Sequence, residues 1–236
     1  LVNQKAEVIP VGMTVEVKKT EFMCGEPLTK DNFIVSVQKS DGSTERLPSD
    51  AFTVSLDTVP GEAGDFSVTV SWENYQTEVM LTAVATIELT EAMVSKGVID
   101  AETGKAVVLN KGEVVIPERI IWNEKEYVVI SIGEAAFFRT SITDVTIPDT
   151  VTRIGNGAFA LCDSLAGPLE LPEKITYIGD AAFEMCKNLQ GELKLPEGLE
   201  YLGYASFHKC EKLVGDVVIP SKITIIRESA FSGCVG

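Results

Sequence analysis

The apolar positions fall into two regimes. In the first 86 or so residues they alternate with polar ones over short runs. DFSVTVSW (65–72) puts Phe66, Val68, Val70 and Trp72 on one face, and TEVMLTAV (77–84) alternates again. A period of two is the mark of a half-buried strand. MTVEVKK (13–19) and NFIVSVQ (32–38) predict further strands. Asp41-Gly42 predicts a hairpin turn, Asn74 a second turn, and Pro60-Gly61 and Gly64 further breaks. About seven short strands over this length predict a small β-sandwich.

From Ile132 onward the chain copies itself. The words IGEAAF (132–137), IGNGAF (154–159), IGDAAF (178–183), LGYASF (202–207) and IRESAF (226–231) follow one another at steps of 22, 24, 24 and 24 residues. Cys162, Cys186, Cys210 and Cys234 keep the 24-residue step, and so do Pro148, Pro172, Pro196 and Pro220. Each proline closes an alternating word: VTIP, LELP, LKLP, VVIP. Alternation predicts a short strand, and proline, lacking an N–H, ends it. The AFxxC spacing suits one helical turn. Ala136, Ala158, Ala182, Ser206 and Ala230 precede the phenylalanines and predict close backbone packing. Gly133, Gly155, Gly179 and Gly203 give way to Arg227 in the last copy, so the site does not strictly demand positive φ.

One such copy cannot bury its own apolar face, whereas stacked copies can, with their strands ~4.8 Å apart in a parallel sheet. Stacking makes one buried column of Phe137, Phe159, Phe183, Phe207 and Phe231, and a second of the four cysteines. The copies run to Gly236 without a polar capping segment, so either the protein continues or the last half-copy is the cap.

The combination I-G-x-x-A-F-x-x-C-x-x-L with x-I-P resembles the BspA-like leucine-rich repeats of bacterial surface proteins. The likeness covers about residues 112–236, and GEVVIPERIIWNEKEYVVISIG (112–133) resembles that family's first unit, with a hairpin at Asn123-Glu124-Lys125. The resemblance implies a right-handed leucine-rich-repeat solenoid. It also implies an exported protein at the cell surface or outside the cell, with room for a lipid anchor upstream. A role in adhesion to host matrix proteins or to other cells follows from it. GEPLTKDNFIVSVQKSDGS followed by GDFSVTVSWENYQTEV is similar, more loosely, to bacterial immunoglobulin-like domains, although Cys24 stands alone in that region.

The expected organisation is mainly β with short helical turns: an Ig-like β-sandwich over 1–86, then a repeat domain over 87–236. Within the latter, 87–131 supplies capping hairpins and the lead-in, and 132–236 the repeats. TEAMVSKG (90–97) fits a short helix or a strand. VIDAETGKAVVL (98–109) predicts a hairpin turning at Thr103-Gly104 that caps the first copy. The junction lacks Ser- or Pro-rich sequence, which favours a rigid connection.

Composition narrows the function classes. The 236 residues are 45% hydrophobic and 23% charged, which argues against general disorder. The net charge is −15, split as −7 over 1–86 and −8 over 87–236. No basic footprint for nucleic acid exists, and anionic membrane is an unfavourable partner. Apolar runs fall far short of the ~18–20 residues of a membrane span. The chain begins at Leu1 without a signal-peptide pattern, so its natural start is expected to have been removed.

Candidate chemistry is sparse. Parallel Cβ vectors in a column stay near ~4.8 Å, wider than disulfides favour, so buried reduced thiols are preferred to disulfides. A straight column makes no tetrahedral zinc site. His208, the single histidine, sits where other copies carry Ala160, Glu184 and Ser232, a pattern read as a solvated face rather than a catalytic centre. GNG at 155–157 lacks the context of a dinucleotide fingerprint, and no Walker A, HExxH, GxSxG or EF-hand word occurs. The expectation is a non-enzyme without cofactor or metal. What remains is surface, and its partner is an extracellular protein or glycan. Candidate ligand contacts are Tyr177, Tyr201, Arg153, Glu170, Glu192, Lys194 and Trp122. The Tyr177–Tyr201 pair also reads, with more weight, as a cross-strand pair that supports the sheet. Two alternatives to adhesion stay open: a structural spacer of a larger surface protein, and a carbohydrate-recognition accessory.

Overall fold

The computed structural model describes residues 8–103 and 106–235. The chain divides into two compact units, Leu1–Ala85 and Thr86–Gly236.

In the first unit the alternating runs form strands β1 (Pro10–Val17), β2 (Glu21–Met23), β3 (Phe33–Lys39), β4 (Thr44–Arg46), β5 (Thr53–Val54), β6 (Gly64–Trp72) and β7 (Tyr75–Val84). They make two sheets, ordered β1-β3-β4 and β2-β7-β6-β5. Phe22, Val35, Phe52, Val68, Val70 and Leu81 from the two sheets and their connections form one apolar cluster. Phe66 and Trp72 pack on it from the same face of β6, as period two requires. The Asp41-Gly42 turn joins β3 to β4: Gly42 takes φ 82°, and the Asp41 carboxylate accepts from the Ser43 N–H at 2.9 Å. The β6–β7 turn needs a left-handed residue and uses Glu73, φ 49°.

The second unit begins with β8 (Thr86–Leu89), helix α1 (Glu91–Lys96), β9 (Val98–Asp100), β10 (Ala106–Val107), β11 (Lys111–Val115), β12 (Arg119–Trp122) and β13 (Lys125–Ile132). TEAMVSKG is thus a helix. It buries Met93 and Val94 and stops at Gly97, whose φ is 80°. β9 and β10 pair antiparallel; of the turn expected between them, Gly104 lies outside the described residues. β9 joins the edge of β12, while β8 runs parallel along β13. The β12–β13 hairpin turns through Asn123 and Glu124, both at positive φ, as its two-residue turn demands.

The repeats add β14 (Ser141–Thr146), β15 (Arg153–Ile154), β16 (Tyr177–Ile178), β17 (Gln190–Glu192), β18 (Tyr201–Leu202) and β19 (Lys212–Val214). The phenylalanine column is present. Rings of Phe137, Phe159, Phe183, Phe207 and Phe231 stack at 4.8, 5.0, 5.1 and 5.8 Å, and all but the last are fully buried. The cysteine column lies beside it. Each thiol donates to the carbonyl of the phenylalanine one copy back: Cys162 to Phe137, Cys186 to Phe159, Cys210 to Phe183, Cys234 to Phe207, at 3.0–3.2 Å. Thr140, at the cysteine position of the first copy, donates its hydroxyl to Phe137 at 2.9 Å.

Two local expectations are corrected. The AFxxC stretch is not a helical turn. It is a series of tight turns, with Phe138 N–H donating to Ala135 and Thr140 N–H to Phe137. The intervening N–H groups of Ala135, Phe137 and Arg139 point to the next copy, onto Asn156, Ala158 and Ala160 carbonyls. Left-handed residues at Ala135 and Arg139 (φ 53° and 57°) aim them there, and Ala181 and Met185 repeat the device. Regular helix would have closed these donors within one copy. The second correction concerns the x-I-P words. Only the first, in β14, is a paired strand, parallel to β11. In the later copies the ladders fall at β15–β16–β18, on the residues before each glycine, and at β17–β19. Pro168 and Pro172, without N–H groups, bracket Leu169–Leu171, and Gly191 and Gly215 at φ 91° and 82° turn the chain ahead of the next two words. Leu169 and Leu193 still face inward.

The repeat glycines owe their place to close approach. A Cβ at Gly179 would lie 2.7 Å from the Gly155 carbonyl carbon, and one at Gly203 2.4 Å from that of Gly179. No ladder strand forms at Ile225–Ile226, which are exposed, and there Arg227 is accommodated.

Candidate functional site

Period two decides what the central ladder shows to solvent. Leu89, Ile132, Ile154, Ile178 and Leu202 point inward and are essentially fully buried. Their register partners one residue earlier are Glu88, Ser131, Arg153, Tyr177 and Tyr201, side by side on β8, β13, β15, β16 and β18. The opposite face therefore carries a row of polar and aromatic side chains at strand spacing, with Glu88 and Arg153 exposed, Tyr177 and Tyr201 half-buried and Ser131 buried.

The row is ordered by contacts within itself. Ser131 donates its hydroxyl to the Glu88 carboxylate at 3.1 Å. The Arg153 guanidinium lies 3.5 Å over the Tyr177 ring. The Tyr177 and Tyr201 rings stack at 4.4 Å and 6° from parallel. Arg227, reaching back from beyond the end of the ladder, sits 4.6 Å over the outer face of Tyr201. The result is a four-layer stack, Arg–Tyr–Tyr–Arg. Such stacking suits the flat, weakly hydrated guanidinium. Beneath it, Asp180 accepts from the Tyr201 hydroxyl at 3.1 Å and from the Tyr204 N–H at 2.9 Å. Asn156 fixes this turn by accepting from the Asp180 N–H at 3.0 Å. Partial burial, with the Asp180 carboxylate next to it, pushes the Tyr201 phenol above its ordinary value.

Both guanidiniums are exposed, and among the described residues neither has an ion-pair partner.

The other candidates lie elsewhere. Glu170, Glu192 and Lys194 line a cleft of about 310 Å³ with Pro168, Leu169 and Glu173. Trp122 lines a more apolar cleft of about 410 Å³ with Val98, Val107, Ile121 and Lys96. The seven predicted contacts thus form three sets that share no lining residue. Arg227 and Asp180 were not among them. The signal for Arg227 was present, as the one charged side chain in a glycine column; Asp180 had none.

The cysteines are free. Burial raises the thiols of Cys162, Cys186 and Cys210 above their ordinary value, that of Cys210 to about 12, which disfavours the nucleophilic thiolate at neutral pH. His208 is half-buried rather than on a solvated face, and its Nδ1 is enclosed without a hydrogen-bond partner. Among the described residues no three His, Cys, Asp or Glu side chains gather as a metal site, and no helix is long and apolar enough to cross a membrane.

Residues 121–236 match the BspA type leucine rich repeat region in six copies. A leucine-rich repeat protein from Bacteroides ovatus is 27% identical, over 58% of this chain and 44% of its own, with a TM-score of 0.42. The same figures hold for a leucine rich cell surface protein from Faecalibacterium prausnitzii. A leucine-rich repeat protein from Bacteroides capillosus is 31% identical over 49% of this chain and 75% of its own, with a TM-score of 0.34. This chain thus spans under half the length of the first of these. No curated protein matches.

Proposed function

We propose that this BspA-type repeat protein is a non-enzymatic binding protein of a bacterial cell surface, an adhesin for host matrix proteins or other cells. In this reading the second unit is a right-handed solenoid that carries the recognition surface, and the first is an immunoglobulin-like module. The observation that supports it most is the row on the central ladder: two half-buried tyrosines stacked on each other and flanked by two exposed arginines that, among the described residues, have no ion-pair partner. Pre-ordered Arg and Tyr side chains lose little entropy on binding and recur at interface hot spots. Export to the surface rests on the repeat family.

The glycan alternative is less favoured at this row. Sugars stack on open aromatic faces, and Tyr177 and Tyr201 have both faces covered.

The test is a screen of the full chain, immobilised, against host matrix proteins, mucins and glycans at physiological salt. Saturable capture of a protein supports adhesion. Capture of glycans alone favours carbohydrate recognition, and silence throughout favours a spacer.

A further inference from the structure

We infer that the Arg153–Tyr177–Tyr201–Arg227 stack is a two-point receptor for an acidic peptide segment, extended, with two carboxylates about four residues apart. The inference rests on the binding reading above and names the partner's chemistry at that surface.

Charge comes first. Arg153 and Arg227 are exposed and, among the described residues, have no ion-pair partner, in a chain of net charge −15. The nearby carboxylate of Asp180 is already engaged by the Tyr201 hydroxyl and the Tyr204 N–H. Glu88 accepts from Ser131, and Glu200 pairs with Lys222 at 2.6 Å. Two cations left over amid so many acids mark where an anionic group would be accepted. Each guanidinium carbon lies over a ring, at 3.5 and 4.6 Å from its centre, and a guanidinium can make a forked pair of hydrogen bonds to a carboxylate.

Spacing comes second. The layers follow at 3.5, 4.4 and 4.6 Å. End to end these steps approach the ~13 Å between residues four apart in an extended chain rising ~3.3 Å per residue. Such residues share one face of a strand, so both carboxylates can address the stack together. The tyrosine ring edges between the guanidiniums are electropositive and suit the intervening segment. A dense polyanion is a poorer match, because the remaining net charge repels it.

The probe is a nine-residue peptide of threonine and valine, blocked at both ends, with glutamates at the third and seventh positions. Its binding to the full chain is read from the side-chain N–H resonances of Arg153 and Arg227. We expect saturable shifts at both arginines and about tenfold weaker binding in Arg153→Gln or Arg227→Gln. A peptide with its glutamates adjacent should also bind about tenfold weaker, since it reaches one guanidinium at a time. Unchanged thermal melts would show that the variants keep their fold. No binding at millimolar peptide, equal binding of the two peptides, or indifference to both substitutions would overturn the inference. So would binding of a heparin oligosaccharide in place of the peptide. A matrix protein captured equally well by wild type and both arginine variants overturns this inference and leaves adhesion standing. Peptide binding of the expected kind with a silent panel supports the two-point receptor and counts against the matrix-adhesin reading.

Discussion

Tyr177 and Tyr201 stand one repeat apart with their rings 4.4 Å apart and 6° from parallel, and an arginine covers the outer face of each. The pair supports the ladder and presents two cations in one geometry. The two roles are compatible because the inward neighbours Ile178 and Leu202 carry the apolar burial.

The raised acids of this unit predict alkaline weakening. The Tyr201 phenol and the thiols of Cys162, Cys186 and Cys210 all lie above their ordinary values, chiefly through burial. For a group raised on folding, the stabilisation is present below the unfolded-state value and is lost as pH rises toward the folded one. Urea midpoints are therefore expected to hold up to about pH 8 and fall steadily between about pH 9 and 11. A flat profile across that range would contradict the burial of these groups.

Removing a ring from the middle of the phenylalanine column should cost more than removing one at its end. Phe183→Ala deletes a fully buried ring stacked on both faces and is expected to cost about 4 kcal/mol. Phe231, stacked on one face and only half-buried, should cost about half as much. Denaturant melts of the two variants give the comparison.

Gly179→Ala tests the close approach of the copies. The new Cβ would meet the Asn156 nitrogen at 2.6 Å and the Gly155 carbonyl carbon at 2.7 Å, both backbone atoms that cannot rotate away. The expected loss is about 2–3 kcal/mol. Hydrogen exchange should quicken at Gly203 and Tyr204, whose N–H groups bond to Ile178 and Asp180. A neutral substitution would mean that the glycine serves some other end.

Much of this was legible in the sequence, because a repeat multiplies its own signal. The phenylalanine and cysteine columns needed only the common step, and the inward positions of the ladder followed from Ile-Gly and Leu-Gly. The pattern gave no notice of which N–H groups face the next copy. That depends on Ala135 and Ala181 adopting a left-handed conformation that alanine does not advertise. The paired strands shifted from the x-I-P words to β15, β16 and β18 for the same kind of reason: proline and positive-φ glycine remove donors and direction where alternation alone predicts a strand. Arg153, Tyr177 and Tyr201 were visible as a column, but the return of Arg227 onto Tyr201 depends on the ladder ending at Leu202.

The most direct test of the account is the binding of the full chain to its captured protein, compared with the double variant Tyr177→Ala with Tyr201→Ala. The stack orders both arginines, so the account predicts at least tenfold weaker binding by the variant. Unchanged affinity in a variant that melts as wild type does would take the recognition surface away from the central ladder and contradict the account.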